Sequence, residues 1–147
     1  MRMPSLMLAT LLACLPADRA WGCWEENANK YGISPYLLYA IAKTESGLNA
    51  RAINHNRNGT YDIGLMQINS RWIPILRKYG LQEDELFDPC TSIRVGAWIL
   101  AQNIARLGNT WDAVGAYNAS APALRLRYAL KVYRNLPQEL RTVDEQE

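Results

Sequence analysis

The chain has 147 residues, of which 49% are hydrophobic and 20% charged, and its formal net charge is +2. That length and apolar content predict one globular domain with a sizeable core and exclude a disordered chain. The near-balanced charge excludes a dedicated nucleic-acid binder, which would carry a basic stripe.

Residues 1–20 read as a secretory signal rather than as part of the fold. Arg2 gives a positive start, and Leu6 to Leu15 is an uncharged apolar run too short to span a bilayer. Cleavage is expected after Ala20, or after Gly22, where Ala20-Trp21-Gly22 puts small residues at the positions that matter. Two other readings are an N-terminal core segment and a short membrane anchor. Leu11-Leu12-Ala13-Cys14 is also similar to a lipoprotein cleavage box, which would place a lipid on Cys14. With export, Cys14 leaves with the signal, and Cys23 and Cys90 can pair in an oxidising compartment. Closing a loop of about 68 residues would stabilise the fold by about 4 kcal/mol on the chain-entropy model. No cysteine–histidine cluster has metal-ligand spacing, and the single histidine, His55, falls in a polar surface loop.

Trp24 to Tyr31 is expected to form a short amphipathic helix stopped by Gly32. Ser34-Pro35 then supplies a cap with proline at the first helical position. The helix it opens carries Leu37, Leu38, Ile41 and Ala42 on one side and ends near Gly47. Asparagines at 49, 54, 56 and 58, with Gly59 and Asp62, mark residues 49–62 as a polar loop, and Asn58-Gly59 favours a small hairpin there. A helix is expected from Ser70 to Gly80, and Asp88-Pro89 opens a long one through Ile93, Trp98 and Ile104 to Gly108. Thr110 caps a segment in which Trp111, Val114 and Tyr117 recur at helical spacing. Pro122 opens a last helix carrying Leu124, Leu126, Tyr128, Leu130, Val132 and Tyr133, and the polar tail 138–147 is expected to fray. The whole reads as one mainly α domain over residues 21–137.

Glu45 shares a helical face with Ile41, Leu38 and Leu37, so its carboxyl should emerge at the edge of the core. Desolvation there favours the protonated form, which can donate a proton to a leaving-group oxygen. Asp62 sits in the polar loop, where hydration would keep it ionised and able to stabilise an oxocarbenium-like transition state. Each has a plainer role: Glu45 as a helix-end partner of Lys43 or Arg51, Asp62 as a turn residue. Gly64 suits close backbone approach to a ligand or a positive φ. Gln67 and Asn69 offer amides that can read N-acetyl and hydroxyl groups, beside apolar Leu65, Met66 and Ile68. Trp72 and Tyr61 could stack on sugars or belong to the core, and Tyr117-Asn118 suits the opposite wall of a cleft.

Glu45-Ser46-Gly47-Leu48-Asn49, then Gly64-Leu65-Met66-Gln67-Ile68-Asn69, then Ala116-Tyr117-Asn118 resemble the three motifs of soluble-type lytic transglycosylases. The chain is most similar to the small exported members that accompany type III secretion, conjugation and type IV pilus systems. The resemblance spans residues 22–135 and includes Cys23-Trp24, Asp88-Pro89-Cys90, and Arg127-Tyr128-Ala129 with Val132-Tyr133. Asp62 to Trp72 also resembles the matching stretch of animal c-type lysozymes, as does the Glu45-to-Asp62 separation.

The resemblance implies a lysozyme-like fold, a periplasmic location, a monomer, no metal or organic cofactor, and peptidoglycan as the substrate. It implies cleavage of the β-1,4 bond between N-acetylmuramic acid and N-acetylglucosamine with formation of a 1,6-anhydro ring. Glu45 and Asp62 would be catalytic, and Ser46, Gly64, Met66, Gln67, Asn69, Tyr117 and Asn118 would bind substrate. Asp62 departs from the many family members that work with one glutamate, which leaves a hydrolytic muramidase as the alternative. Ser120 departs as well, standing where the family usually has glycine. A glycan-binding assembly factor without catalysis is the further alternative.

Overall fold

The structure, a computed structural model, describes residues 17–141. The expected leader up to residue 16, Cys14 included, and residues 142–147 of the expected tail lie outside them. Six helices and one small sheet follow in the order α1 (Ala17–Tyr31), α2 (Pro35–Ser46), β1 (Ile53–His55), β2 (Tyr61–Ile63), β3 (Ile68–Asn69), α3 (Ile73–Lys78), α4 (Pro89–Leu107), α5 (Trp111–Gly115) and α6 (Pro122–Asn135).

The helix starts follow local chemistry. Proline occupies the first turn of α2, α3, α4 and α6, where its missing N–H costs nothing. Asp88 caps α4 by accepting from the Thr91 N–H, and Thr110 caps α5 by accepting from the Ala113 N–H. Ser34 precedes α2 without a side-chain capping bond, so Pro35 alone carries that start. Gly47 ends α2 with a φ of 61°, a left-handed conformation that glycine adopts without strain.

Two expected helix bounds need correction. The first helix begins at Ala17 rather than Trp24, because Trp21 bonds Glu25 one turn on and packs on Tyr36 and Tyr39. The expected Ser70–Gly80 helix splits into a 3-10 turn at Ser70–Trp72 and α3, since Pro74 has no N–H to continue the ladder back to Ser70. On α6 only Tyr128, Ala129 and Val132 are buried; Leu124, Leu126 and Leu130 face outward because one stripe of this helix meets α2 and α5. At the other end, residues 138–140 of the expected tail form a 3-10 turn, and the Tyr133 hydroxyl donates to the Arg141 carbonyl.

The core gathers Leu38 and Ile41 of α2, Met66 and Ile68 of the loop, Leu86, Ile93 and Leu100 around α4, and Val132 of α6, all fully buried. Burying each such side chain is worth about 1.5–3 kcal/mol. Cys23 of α1 and Cys90 at the start of α4 form the expected disulfide, with Cα atoms 5.4 Å apart. The polar loop folds as a three-stranded antiparallel sheet of order β1-β2-β3. Its register pairs Asn54 with Asp62 and Asp62 with Asn69, so two asparagines flank that aspartate across the strands.

Candidate active site

A cleft of about 470 Å³ lies between the sheet and the helices, with Glu45 and Asp62 both in its lining. Glu45 projects from the last turn of α2, one turn beyond Ile41 and two beyond Leu38, both fully buried. Burial is the main reason its pKa rises from 4.5 to about 7, and the charge of Asp62 pushes the same way. A hydrogen bond from Tyr128 and the charge of Lys131 pull it back. The Tyr128 hydroxyl donates to Glu45 Oε1 at 2.6 Å. Glu45 is thus held by a tyrosine of α6, not by Lys43 or Arg51.

Asp62 lives in different surroundings. Asn69 donates to its Oδ1 at 2.7 Å and Asn56 to its Oδ2 at 2.9 Å, so each carboxylate oxygen accepts one amide N–H. Asn69 is itself fixed, since its Oδ1 accepts from the Arg71 backbone and caps the 3-10 turn. Two such bonds fix the orientation of the carboxyl group in the cleft wall.

The predicted binding residues divide into two groups. Gln67, Asn69, Tyr117 and Asn118 line the cleft, together with Trp72. Ser46, Gly64 and Met66 stand behind it and hold its walls. The Ser46 hydroxyl donates to the Leu65 carbonyl at 2.7 Å, tying the end of α2 to the loop. Gly64 has a φ of 77°, and a methyl there would fall 2.2 Å from the Leu86 carbonyl oxygen. The close approach it permits is to this chain's own backbone, not to a ligand. Met66 is fully buried; its N–H donates to Ser92 Oγ and its carbonyl accepts from the Tyr117 hydroxyl at 2.9 Å.

Gln67 lines the cleft, yet its amide works for the loop. Nε2 donates to the Ala52 and Gly64 carbonyls and Oε1 accepts from Asn54, while the backbone takes a φ of 50°. Burial, before the charges of Glu45 and Asp62, raises the Tyr117 pKa well above 10, so its hydroxyl stays a neutral donor. Tyr61, a candidate stacking residue, donates to Glu83 and is absent from the cleft lining.

Sequence reasoning did not single out Tyr128, Asn56, Ser92 or Gly96 for the site. A methyl at Gly96 would meet Met66 at 2.6 Å and the Tyr117 hydroxyl at 2.9 Å, so this glycine of α4 makes room for the bond between them. The Asn-rich loop was a usable signal for Asn56; a glycine or serine inside an apolar helix offers none.

The transglycosylase SLT domain family matches residues 22–140. Invasion protein IagB of Salmonella typhimurium is 45% identical over 127 residues, covering 82% of this chain and 79% of that protein. Protein IpgF of Shigella flexneri is 40% identical over 129 residues, covering 84% of this chain and 85% of its own length. Among solved structures, an inactive mutant of the lytic transglycosylase Slt from Pseudomonas aeruginosa shares the fold, with a TM-score of 0.63 at 24% identity. That match covers 81% of this chain but 23% of the larger protein. The expected fold, a lysozyme-like, mainly α domain with a small β element, is the one observed.

Proposed function

The chain belongs to the transglycosylase SLT family of glycosidic-bond-cleaving enzymes, and from that premise we propose that it is a peptidoglycan lytic transglycosylase that releases 1,6-anhydromuramic acid. One observation carries the chemistry: a half-buried glutamate with a pKa of about 7 shares a cleft with an aspartate held by two amide donors. A group that titrates near the working pH can give and retake a proton at little cost.

Glu45 in its acid form protonates the glycosidic oxygen, and the bond from that oxygen to the muramic anomeric carbon breaks. Positive charge develops on that carbon, and the Asp62 carboxylate stabilises it across the cleft. Glu45, now a carboxylate steadied by the Tyr128 hydroxyl, removes the proton from the muramic C6 hydroxyl. The C6 oxygen closes on the anomeric carbon, and Glu45 returns to its acid form without consuming water. Tyr117, Asn118, Gln67 and Asn69 form the walls against which the sugars lie. No metal or organic cofactor enters these steps.

The clamped Asp62 favours one second reading, a hydrolytic muramidase in which water attacks the same carbon. Mass spectrometry of digested sacculi separates them. Anhydro ends are expected; products with reducing ends alone would establish the hydrolase and overturn the lyase.

The setting proposed is the periplasm, reached by the N-terminal signal and consistent with the Cys23–Cys90 bridge. There a monomer would open the wall locally for a secretion, conjugation or pilus apparatus. The similarity to a protein named for invasion supports an envelope-spanning machine as the client.

A further inference from the structure

The cleft does not end at Tyr117. Past Trp72, Tyr117 and Asn118 it continues into a side pocket of about 320 Å³, whose remaining lining includes Gln102, Asn103 and Arg106 of α4. The two spaces differ in charge. The catalytic pocket holds Glu45 and Asp62 beside Arg57 and Arg71, whereas no acidic side chain lines the side pocket, which shares Arg71 and adds Arg106.

Two details indicate a ligand there. The Arg106 Nη2 donates to Asn103 Oδ1 at 3.3 Å, a bond that orients the guanidinium and occupies one of its five N–H donors. Asn103 is 9% exposed, and its Nδ2 is buried with no acceptor among the described residues. A buried amide donor is normally satisfied, so this orphan in a residue of the pocket's wall would gain a partner if the amide turned toward an incoming oxygen.

A neutral sugar has no need of two arginines. In the substrate proposed above, every second sugar is a muramic acid whose O3 bears a lactyl group. That group ends in a carboxylate, or in a peptide with carboxylates of its own. We infer that the side pocket is an anion subsite in which Arg71 and Arg106 bind a carboxylate carried by the lactyl arm of the next muramic acid along the strand. The inference rests on peptidoglycan being the substrate, and it makes the enzyme a reader of murein over a plain N-acetylglucosamine polymer. Arginine suits the task because its planar fork matches a carboxylate.

Binding to Glu45→Gln protein tests the subsite without turnover, while product formation by the parent tests the reaction separately. The probes are chitotetraose, a murein tetrasaccharide stripped of peptide, and the same tetrasaccharide with its peptides. Both carboxylate-bearing probes are expected to bind about tenfold more tightly than chitotetraose, the scale of one charge-assisted contact. The tighter of the two identifies whether the lactyl or a peptide carboxylate is held. Adding Arg71→Gln and Arg106→Gln should bring the ratio close to one, Arg106→Lys should keep part of it, and raising the salt should shrink it. Equal affinity for all three probes, or a preference that survives loss of both arginines, would overturn the subsite whatever the parent does to sacculi.

Discussion

The two walls of the cleft present the same functional group in opposite ways. On the helical side, α2 and α6 set Glu45 against buried aliphatic side chains with one phenol for a partner. On the sheet side, β2 holds Asp62 between two asparagines, each donating to one carboxylate oxygen. Desolvation favours a neutral acid on the helical side, whereas two amide donors fix how the carboxyl on the sheet side is presented. The division between acid and electrostatic partner is therefore written in the surroundings, not in the choice of aspartate or glutamate. It can be erased from either wall.

The largest effect comes from the helical wall. Glu45→Gln keeps an acceptor for Tyr128 but removes the proton donor, and murein cleavage should fall roughly a hundred- to ten-thousandfold. The same substitution should stabilise the protein. Because the folded pKa of about 7 lies above the ordinary 4.5, the contribution of Glu45 to stability is full below 4.5 and is lost as pH rises to about 7. The variant's advantage should thus grow across that window and level off above it, reaching on the order of 2–3 kcal/mol. Thermal melts at pH 4.5 and pH 8 measure it; equal advantages at both would mean that Glu45 ionises as freely as in water.

The sheet wall gives the next effect. Asp62→Asn removes the charge facing the anomeric carbon and should lower kcat roughly tenfold to a hundredfold. It also removes a charge that raises the pKa of Glu45, so the alkaline limb of the rate profile should move to lower pH. A third consequence is local. Asn56 and Asn69 would then donate toward an amide with one acceptor oxygen, and a donor left without a partner costs about 1–3 kcal/mol. If the variant cleaved murein as fast as the parent, Asp62 would be a turn residue and the chemistry would belong to Glu45 alone.

These two walls were unequally legible beforehand. The helical side could be read because its signals are local: Pro35 and Gly47 bound α2, and Leu38, Ile41 and Glu45 repeat at the helical period. Asp62 could be picked out as a loop carboxylate, yet its clamp could not. The clamp by Asn56 and Asn69 depends on strand register, which sets Asn69 opposite Asp62 and which no short window contains. β3 is two residues long and gave no strand signal. Tyr128 lies 83 positions from Glu45, and nothing in α6 separates it from Tyr133 until the helix is packed. The resemblance picked out Ser46, Gly64 and Met66 as motif residues but could not tell a ligand contact from a brace. Packing distinguishes them, since Met66 is fully buried and Gly64 rests on the backbone of Leu86.

The smallest and most discriminating change concerns Tyr128. Its hydroxyl is the hydrogen bond that holds the Glu45 pKa down against burial. Tyr128→Phe keeps the ring and removes that donor, so the carboxylate loses its partner while the acid form loses little. The Glu45 pKa should rise further, and the alkaline limb of kcat/KM should move up by about one pH unit, the scale of one charge-assisted bond. Near pH 7 two consequences oppose each other: more Glu45 is protonated at the start, but the carboxylate formed after proton transfer is less stable. The net change in rate there should be only a few-fold. Direction carries the information, because Asp62→Asn and Tyr128→Phe must shift the limb in opposite senses if each wall sets the acid as described. A merely structural tyrosine would lower the rate at every pH and leave the limb in place.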